Sequence, residues 1–285
     1  MTILICGSGT MGRGIALASI LSGHSAKLYD KQTKALDKAK EFIESQINKG
    51  VTKGNYTAEK AEEYKNACHY IDTLVDQVSD CDIIIEAIIE SLEDKEELFH
   101  TIENAGLGKE TILATNTSSL SVNVLSKNRI YPQSFIGLHF FNPAHLMKLV
   151  EIVKTPITEQ SILDTAMAYC TSLKKVPVIA KDVPGFIVNR VARNYYNEAM
   201  RIATEYAASI EQIDSLMKSV GFKMGPFELM DLIGNDVNLE VTKSVYGQYF
   251  NDPRFTPSIM QQDYVNAGMF GRKSGNGFYK YDSQS

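Results

Sequence analysis

The chain has 285 residues, 44% of them apolar and 22% charged, a balance that excludes a disordered or collagen-like chain and leaves room for one large domain or two ordinary ones. A net charge of -5 supplies no basic surface for general nucleic-acid or anionic-membrane binding, so no nucleic acid and no membrane is expected as a partner. The cysteines, Cys6, Cys68, Cys81 and Cys170, are scattered without a C-x-x-C pair; no zinc or other metal site and no disulfide framework is expected, and Cys6 and Cys81 read as small core residues.

The first strand starts at once, at Ile3-Leu4-Ile5-Cys6, with no charged leader or cleavage site, and no apolar run approaches a membrane span. The expected location is a reducing cytoplasm. That strand feeds Gly7-Ser8-Gly9-Thr10-Met11-Gly12 and then the helix-compatible run Gly14-Ile15-Ala16-Leu17-Ala18. A strand running through a tight glycine turn into a helix aims backbone N–H groups and the positive end of the helix dipole at one point, where a pyrophosphate can be held. In this arrangement Gly7 permits the turn, Gly9 clears the approach of the pyrophosphate and Gly12 lets the helix pack close to the strand. Asp30 follows Lys27-Leu28-Tyr29 at about 20 residues from the motif, where a carboxylate accepts from the ribose hydroxyls and repels a 2′-phosphate. NAD is therefore expected over NADP, with Lys31 softening the discrimination.

Residues 33–48 read as a helix, Lys49-Gly50 and Gly54-Asn55 as a break, and 58–66 as a second polar helix, together a hairpin expected to project from the sheet. The apolar run 82–87 reads as a buried parallel strand and 92–102 as its crossover helix. The next strand, 111–115, runs into Asn116-Thr117-Ser118-Ser119, a polar cluster at a strand's carboxyl end, where open α/β sheets bind their ligands. Two further strands, 135–140 and 149–153, flank a Pro-containing loop, a helix covers 158–173 and a short strand 176–179. The first domain is thus expected over 1–181. Beyond the break at Val183-Pro184-Gly185-Phe186, helical patterns at 189–205 and 210–220 dominate, so 182–285 reads as an all-helical second domain.

A nicotinamide enzyme that oxidises an alcohol needs a base for the hydroxyl proton, and histidine suits that work near neutral pH. His24 closes the first helix region, His69 precedes a strand and His100 lies in a crossover helix; each reads as a surface or packing residue. His139 ends the strand Ile136-Gly137-Leu138, beside Asn116 and Ser118 in a parallel sheet, and His145 on the following loop is its rival. If 135–140 and 149–153 pair antiparallel about a turn near His145, His139 and Glu151 fall opposite one another. Glu151 then either orients the imidazole and stabilises imidazolium or forms an ordinary salt bridge, and pairing geometry alone leaves both readings open.

Taken together, Gly7 to Gly14, Glu86-Ala-Ile-Ile-Glu90 with Lys95, Asn116-Thr-Ser-Ser119, Gly137-Leu-His-Phe-Phe-Asn-Pro143, Pro184-Gly-Phe-Ile-Val-Asn-Arg190, Met224-Gly-Pro226 with Asp231, and Gly271-Arg-Lys-Ser-Gly-Asn-Gly-Phe-Tyr279 resemble the motifs of the 3-hydroxyacyl-CoA dehydrogenase family. The similarity runs in order over nearly the whole chain and is greatest to the short, single-function 3-hydroxybutyryl-CoA dehydrogenases. It implies a Rossmann-type NAD-binding domain, a helical C-terminal domain that forms a homodimer, and reversible NAD-linked oxidation of an (S)-3-hydroxyacyl-CoA to the 3-oxoacyl-CoA. By the same resemblance His139 is the general base, Glu151 its orienting partner, Ser118 a donor to the reacting oxygen or the thioester, and Asn189 the holder of the substrate carbonyl. Gly7, Gly9, Thr10, Met11, Gly12, Asp30, Glu90, Lys95, Asn116, Ser118, Asn142 and Lys273 fall at cofactor-binding positions. Ser45, Lys49 and Lys53, with Ser118, fall where the family meets CoA. His145 stands where the family often has proline. Within the same fold, the alternatives are a dehydrogenase of free sugar acids or of ω-carboxylated 3-hydroxyacyl-CoAs; outside it in function, a non-catalytic NAD-binding protein.

Overall fold

The computed structural model describes residues 1–281, and the chain divides into two compact units, Met1–Val183 and a second from Pro184 onward. In the first unit the order is β1 (Thr2–Cys6), α1 (Thr10–Leu21), β2 (Ser25–Tyr29), α2 (Thr33–Thr52), α3 (Ala58–Asn66), β3 (Cys68–Ile71), β4 (Ile83–Glu86), α4 (Leu92–Asn104), β5 (Ile112–Thr115), α5 (Val122–Ser126), β6 (Phe135–Phe140), β7 (Leu149–Lys154), α6 (Gln160–Ser172) and β8 (Val176–Lys181). The strands form one sheet in the order β3-β2-β1-β4-β5-β6-β7-β8. Its pairs are parallel except β6 with β7.

Ile83, Ile84 and Ile85 are completely buried, as a central strand covered on both faces requires, and this is why β4 reads as an unbroken apolar run. Because β2 and β4 flank β1 on opposite sides, the strand order reverses there and opens a crevice at the carboxyl ends of β1 and β4. This is a doubly wound, Rossmann-type unit.

Two local expectations are corrected, at the end of α2 and at His69. The helix expected to break at Lys49-Gly50 continues to Thr52, because Gly50 faces inward against Tyr56: a Cβ at Gly50 would lie 2.1 Å from the Tyr56 hydroxyl. The glycine there marks a close approach and not a stop. The hairpin has an apolar inner face: Leu36, Ala39, Ile43 and Ile47 form one helical stripe in the core cluster that also holds Ala61 of α3, and the outer face of α2 is polar. His69, expected just ahead of a strand, lies inside edge strand β3, paired with Lys27 of β2.

The second unit is built of α7 (Val188–Thr204), α8 (Ile210–Ser219), α9 (Pro226–Ile233), α10 (Asn235–Gln248) and α11 (Ile259–Asn266). Tyr196, Ala199, Met200, Ile213, Phe227, Met230 and Phe278 make its core. Two buried carboxylates tie the helices together. Asp214 of α8 accepts from the Phe227 and Glu228 N–H groups that open α9, and Asp231 accepts from Asn235, from the Phe278 and Tyr279 N–H groups and from the Tyr281 hydroxyl. Burial raises the Asp214 carboxyl above its ordinary value in spite of these donors.

Candidate active site

At the carboxyl end of β1, Gly7 takes a φ of +106° and donates its N–H to Tyr29 O at 2.8 Å, locking the turn onto β2. A Cβ at Gly12 would lie 1.7 Å from Gly7 O, so the first turn of α1 sits against the loop as only glycine allows, whereas a Cβ at Gly9 would meet nothing within 4 Å. Gly9 is the N-cap of α1 and offers no side-chain cap, which leaves the N-terminal amides and the helix dipole directed outward. They border a groove of about 650 Å³ lined by Gly7, Gly9, Thr10, Met11 and Asp30 on one side and by Ile88 and Ile89 on the other. Asp30 is firmly held: Oδ2 accepts from the Ser8 N–H (2.9 Å) and the Ser8 hydroxyl (2.8 Å), and Oδ1 accepts from the Gln32 N–H (3.0 Å). An uncapped helix start, room beside Gly9 and a fixed carboxylate at the far end of the groove fit a dinucleotide whose ribose carries no phosphate.

Beside this groove, the ends of β4 and β5 carry a charged cluster. Lys95 of α4 is 1% exposed and donates to Glu86 Oε1 at 2.5 Å, with Glu90 Oε2 at 3.1 Å. Burial pushes the Glu86 carboxyl above its usual range against the pull of Lys95. Burial acts on Glu90 in the same direction, but Lys95 and the hydroxyls of Thr117 and Ser119 outweigh it and hold Glu90 below its usual value.

One strand further, β6 and β7 run antiparallel with His139 and Glu151 as register partners. Their side chains meet, His139 Nδ1 to Glu151 Oε2 at 2.7 Å, with 6% of the histidine and 1% of the glutamate exposed. The Phe141 ring lies 4.4 Å from the imidazole. Asn116, at the end of β5, accepts the Phe140 N–H through Oδ1 at 2.9 Å, so the polar cluster that follows β5 is tied to the strand that carries His139. His145 is placed differently. Its ring packs edge-on against Phe42 of α2, and burial together with the Lys175 charge lowers its pKa.

Ser45 and Lys49 are exposed on the α2 face that also carries Phe42, and Lys53 caps the end of that helix. Asn142 is exposed at the start of the β6–β7 connection. In the second unit, Asn189 stands in the first turn of α7 and Lys273 pairs with Asp236 at 2.6 Å. Sequence reasoning missed Lys175, a largely buried ammonium that donates to Ala144 O and Met147 O, both at 2.7 Å, and so pins the loop bearing His145. Nothing in its sequence context marks it. The depth of Glu86 was foreshadowed only by an acid closing an apolar strand. Among the described residues, no His, Cys, Asp and Glu cluster could hold a metal ion, and no helix is long and apolar enough to cross a membrane.

Known proteins resemble this chain along nearly its whole length. Residues 2–183 match the family model described as 3-hydroxyacyl-CoA dehydrogenase, NAD binding domain, and residues 185–281 match its C-terminal domain. The 3-hydroxyadipyl-CoA dehydrogenase of Escherichia coli is 42% identical over 99% of this chain, which spans 59% of that protein's length. The 3-hydroxybutyryl-CoA dehydrogenase of Clostridioides difficile is 38% identical over 99% of this chain and 100% of its own. The crystal structure of an (S)-3-hydroxybutyryl-CoA dehydrogenase from Ralstonia eutropha superposes with a TM-score of 0.94 at 34% identity, covering 99% of both chains. With both domains matched in order, and the glycine turn and Asp30 present in the first, the chain belongs to the 3-hydroxyacyl-CoA dehydrogenase family and carries that family's NAD-binding domain.

Proposed function

We propose that the protein catalyses the reversible NAD-linked oxidation of an (S)-3-hydroxyacyl-CoA, 3-hydroxybutanoyl-CoA foremost, to the 3-oxoacyl-CoA. The observation that carries this reading is the buried His139–Glu151 pair at 2.7 Å, one strand from the Asn116–Ser119 cluster and on the sheet that bears the dinucleotide groove. With Nδ1 directed at the carboxylate, the neutral ring carries its proton there and its lone pair on Nε2, which takes the substrate hydroxyl proton. Glu151 stabilises the imidazolium that results. NAD, when bound, supplies the hydride acceptor. Ser118 donates to the reacting oxygen or the thioester and Asn189 to the substrate carbonyl, so that negative charge developing on oxygen meets fixed donors.

Gly7, Gly9, Thr10, Met11 and Gly12 form the pyrophosphate turn, Asp30 holds the ribose, and Glu90, Lys95, Asn116, Ser118, Asn142 and Lys273 complete the cofactor contacts. Ser45, Lys49 and Lys53, all exposed, take the CoA end. The second unit is the homodimer contact: Ile187, Val191 and Phe222 are exposed along an apolar groove of about 980 Å³ within it. Four unpaired, buried thiols suit a cytoplasmic location.

The test is NADH consumption with acetoacetyl-CoA, acetoacetyl-pantetheine and free acetoacetate. Turnover should fall steeply as the nucleotide handle is removed; equal rates with the free acid would overturn the CoA assignment. The 42% identity to a protein named for 3-hydroxyadipyl-CoA supports a second reading, a longer and carboxylated acyl chain at the same site. A higher kcat/KM for 3-oxoadipyl-CoA than for acetoacetyl-CoA would select it.

A further inference from the structure

One guanidinium of the first unit has nothing to answer its charge. Arg13, in the first turn of α1, is half-buried; among the described residues its side chain makes no ion pair and no hydrogen bond, and its Nε is buried without a partner. Its Cζ stands 4.3 Å from the centre of the Phe42 ring on α2, and that ring in turn meets His145 of the β6–β7 connection edge-on at 5.7 Å. The next residue of α1, Gly14, abuts the same connection, since a Cβ there would lie 3.1 Å from Ala144 Cβ. Arg13 therefore lies off the dinucleotide groove, to which α1 contributes Thr10 and Met11.

Stacking on a ring leaves the planar fork of guanidinium N–H donors without acceptors. The surroundings are cationic as well. Lys175 reaches the Ala144 and Met147 carbonyls beneath the same connection, and its charge acts with burial to lower the His145 pKa. On α2, Phe42, Ser45 and Lys49 follow at i, i+3 and i+7 on one face, and Lys53 caps the helix. Among the described residues Arg13, Lys49 and Lys53 hold no carboxylate, whereas Lys60 and Lys65 of the adjoining α3 each pair with a glutamate. From Phe42 to Lys49 is about 10 Å of helix at 1.5 Å per residue, a span that a nucleoside diphosphate can bridge. The guanidinium fork suits its adjacent phosphates.

We propose that Arg13 binds the diphosphate of the acyl-CoA and is a specificity-determining residue for the nucleotide handle, with Lys49 and Lys53 toward the adenosine end. The proposal rests on the acyl-CoA reading above. It gives α1 two anions to hold: the dinucleotide through main-chain amides on one side, and CoA through the Arg13 side chain on the other.

Arg13→Met keeps a stem that packs on Phe42 and removes the charge. At saturating NADH its KM for acetoacetyl-CoA should rise about tenfold with kcat within about twofold, the pattern of a contact made equally in the ground and transition states. Its kcat/KM for acetoacetyl-pantetheine and its NADH Kd should stay within about twofold of the parent. Inhibition by CoA and by 3′-dephospho-CoA should weaken by the same factor, because both carry the diphosphate. A thermal melt checks the fold, and Arg13→Lys, which keeps the charge but loses the fork, should raise the same KM about threefold and carries the test if the Met variant does not fold. An unchanged KM for acetoacetyl-CoA would overturn the proposal, as would an equal loss with the pantetheine substrate or a loss confined to NADH. A loss with CoA but not with 3′-dephospho-CoA would move Arg13 to the 3′-phosphate and overturn the diphosphate assignment. If the parent itself uses acetoacetyl-CoA and acetoacetyl-pantetheine equally well, the CoA reading fails first and this proposal with it.

Discussion

Glu151 and His139 are direct partners across the β6–β7 ladder, with the carboxylate 2.7 Å from Nδ1. Opposite residues of adjacent strands bring their Cβ atoms within about 5 Å, so the ladder fixes both ends of this contact. Glu151→Gln keeps the shape and an acceptor but removes the charge that stabilises imidazolium. It should lower kcat with acetoacetyl-CoA by at least about tenfold and leave NADH affinity near that of the parent. Unchanged turnover in this variant would reduce Glu151 to a structural ion pair.

Asp30 does two things at once, because the carboxylate that faces the cofactor groove also accepts twice from Ser8 in the glycine turn. Asp30→Ala should therefore weaken NADH and narrow its advantage over NADPH, since both the ribose contact and the repulsion of a 2′-phosphate go with the carboxylate. Fluorescence titration with each cofactor measures this. A parent enzyme that prefers NADPH contradicts the assignment.

At Gly50, a methyl group would stand 2.1 Å from the Tyr56 hydroxyl and 2.4 Å from its ring, and Tyr56 is itself bonded to Ile47 O and packed edge-on against Tyr64. Gly50→Ala must displace that ring, and overpacking of this kind costs about 1–3 kcal/mol. Urea unfolding should show the loss with NADH affinity unaltered. An Ala variant as stable as the parent would mean that the α2–α3 hairpin repacks freely.

The misreading at the end of α2 has a physical cause. Lys49-Gly50 carries the same local signals as a helix stop, and what decides otherwise is Tyr56, a partner that folds back from beyond the helix end. The middle of the sheet was legible because β1, β4, β5 and β6 are buried on both faces and declare themselves as apolar runs, and the glycine turn because strand, helix and acid appear at fixed spacing. The His139–Glu151 pairing was legible as geometry, since a short loop between two strands leaves few registers. Lys175 and the Glu90 contacts were not, because nothing local distinguishes a lysine that reaches carbonyls 28 and 31 residues away from one in solvent.

His145 offers a check on the competing base. Burial lowers its pKa below 6.5, so above that value it is neutral in both the folded and unfolded chain and contributes no pH dependence. As pH falls through 6.5 the unfolded chain takes up a proton that the folded one resists, and stability is lost. His145→Gln should flatten the fall in Tm between neutral pH and about pH 5.5 while retaining turnover within a few-fold. A loss of turnover as large as that expected for His139 would move the base to His145.

The central claim is that His139 moves the proton in an NAD-linked interconversion of 3-hydroxyacyl-CoA and 3-oxoacyl-CoA. Its most direct test is the initial rate of NADH consumption with acetoacetyl-CoA, measured for the parent and for His139→Gln, with NADH binding followed in parallel. The account requires rapid turnover in the parent and a kcat lower by about two or more orders of magnitude in the variant, at near-unchanged NADH affinity. Comparable rates in both, with the parent active, would contradict it.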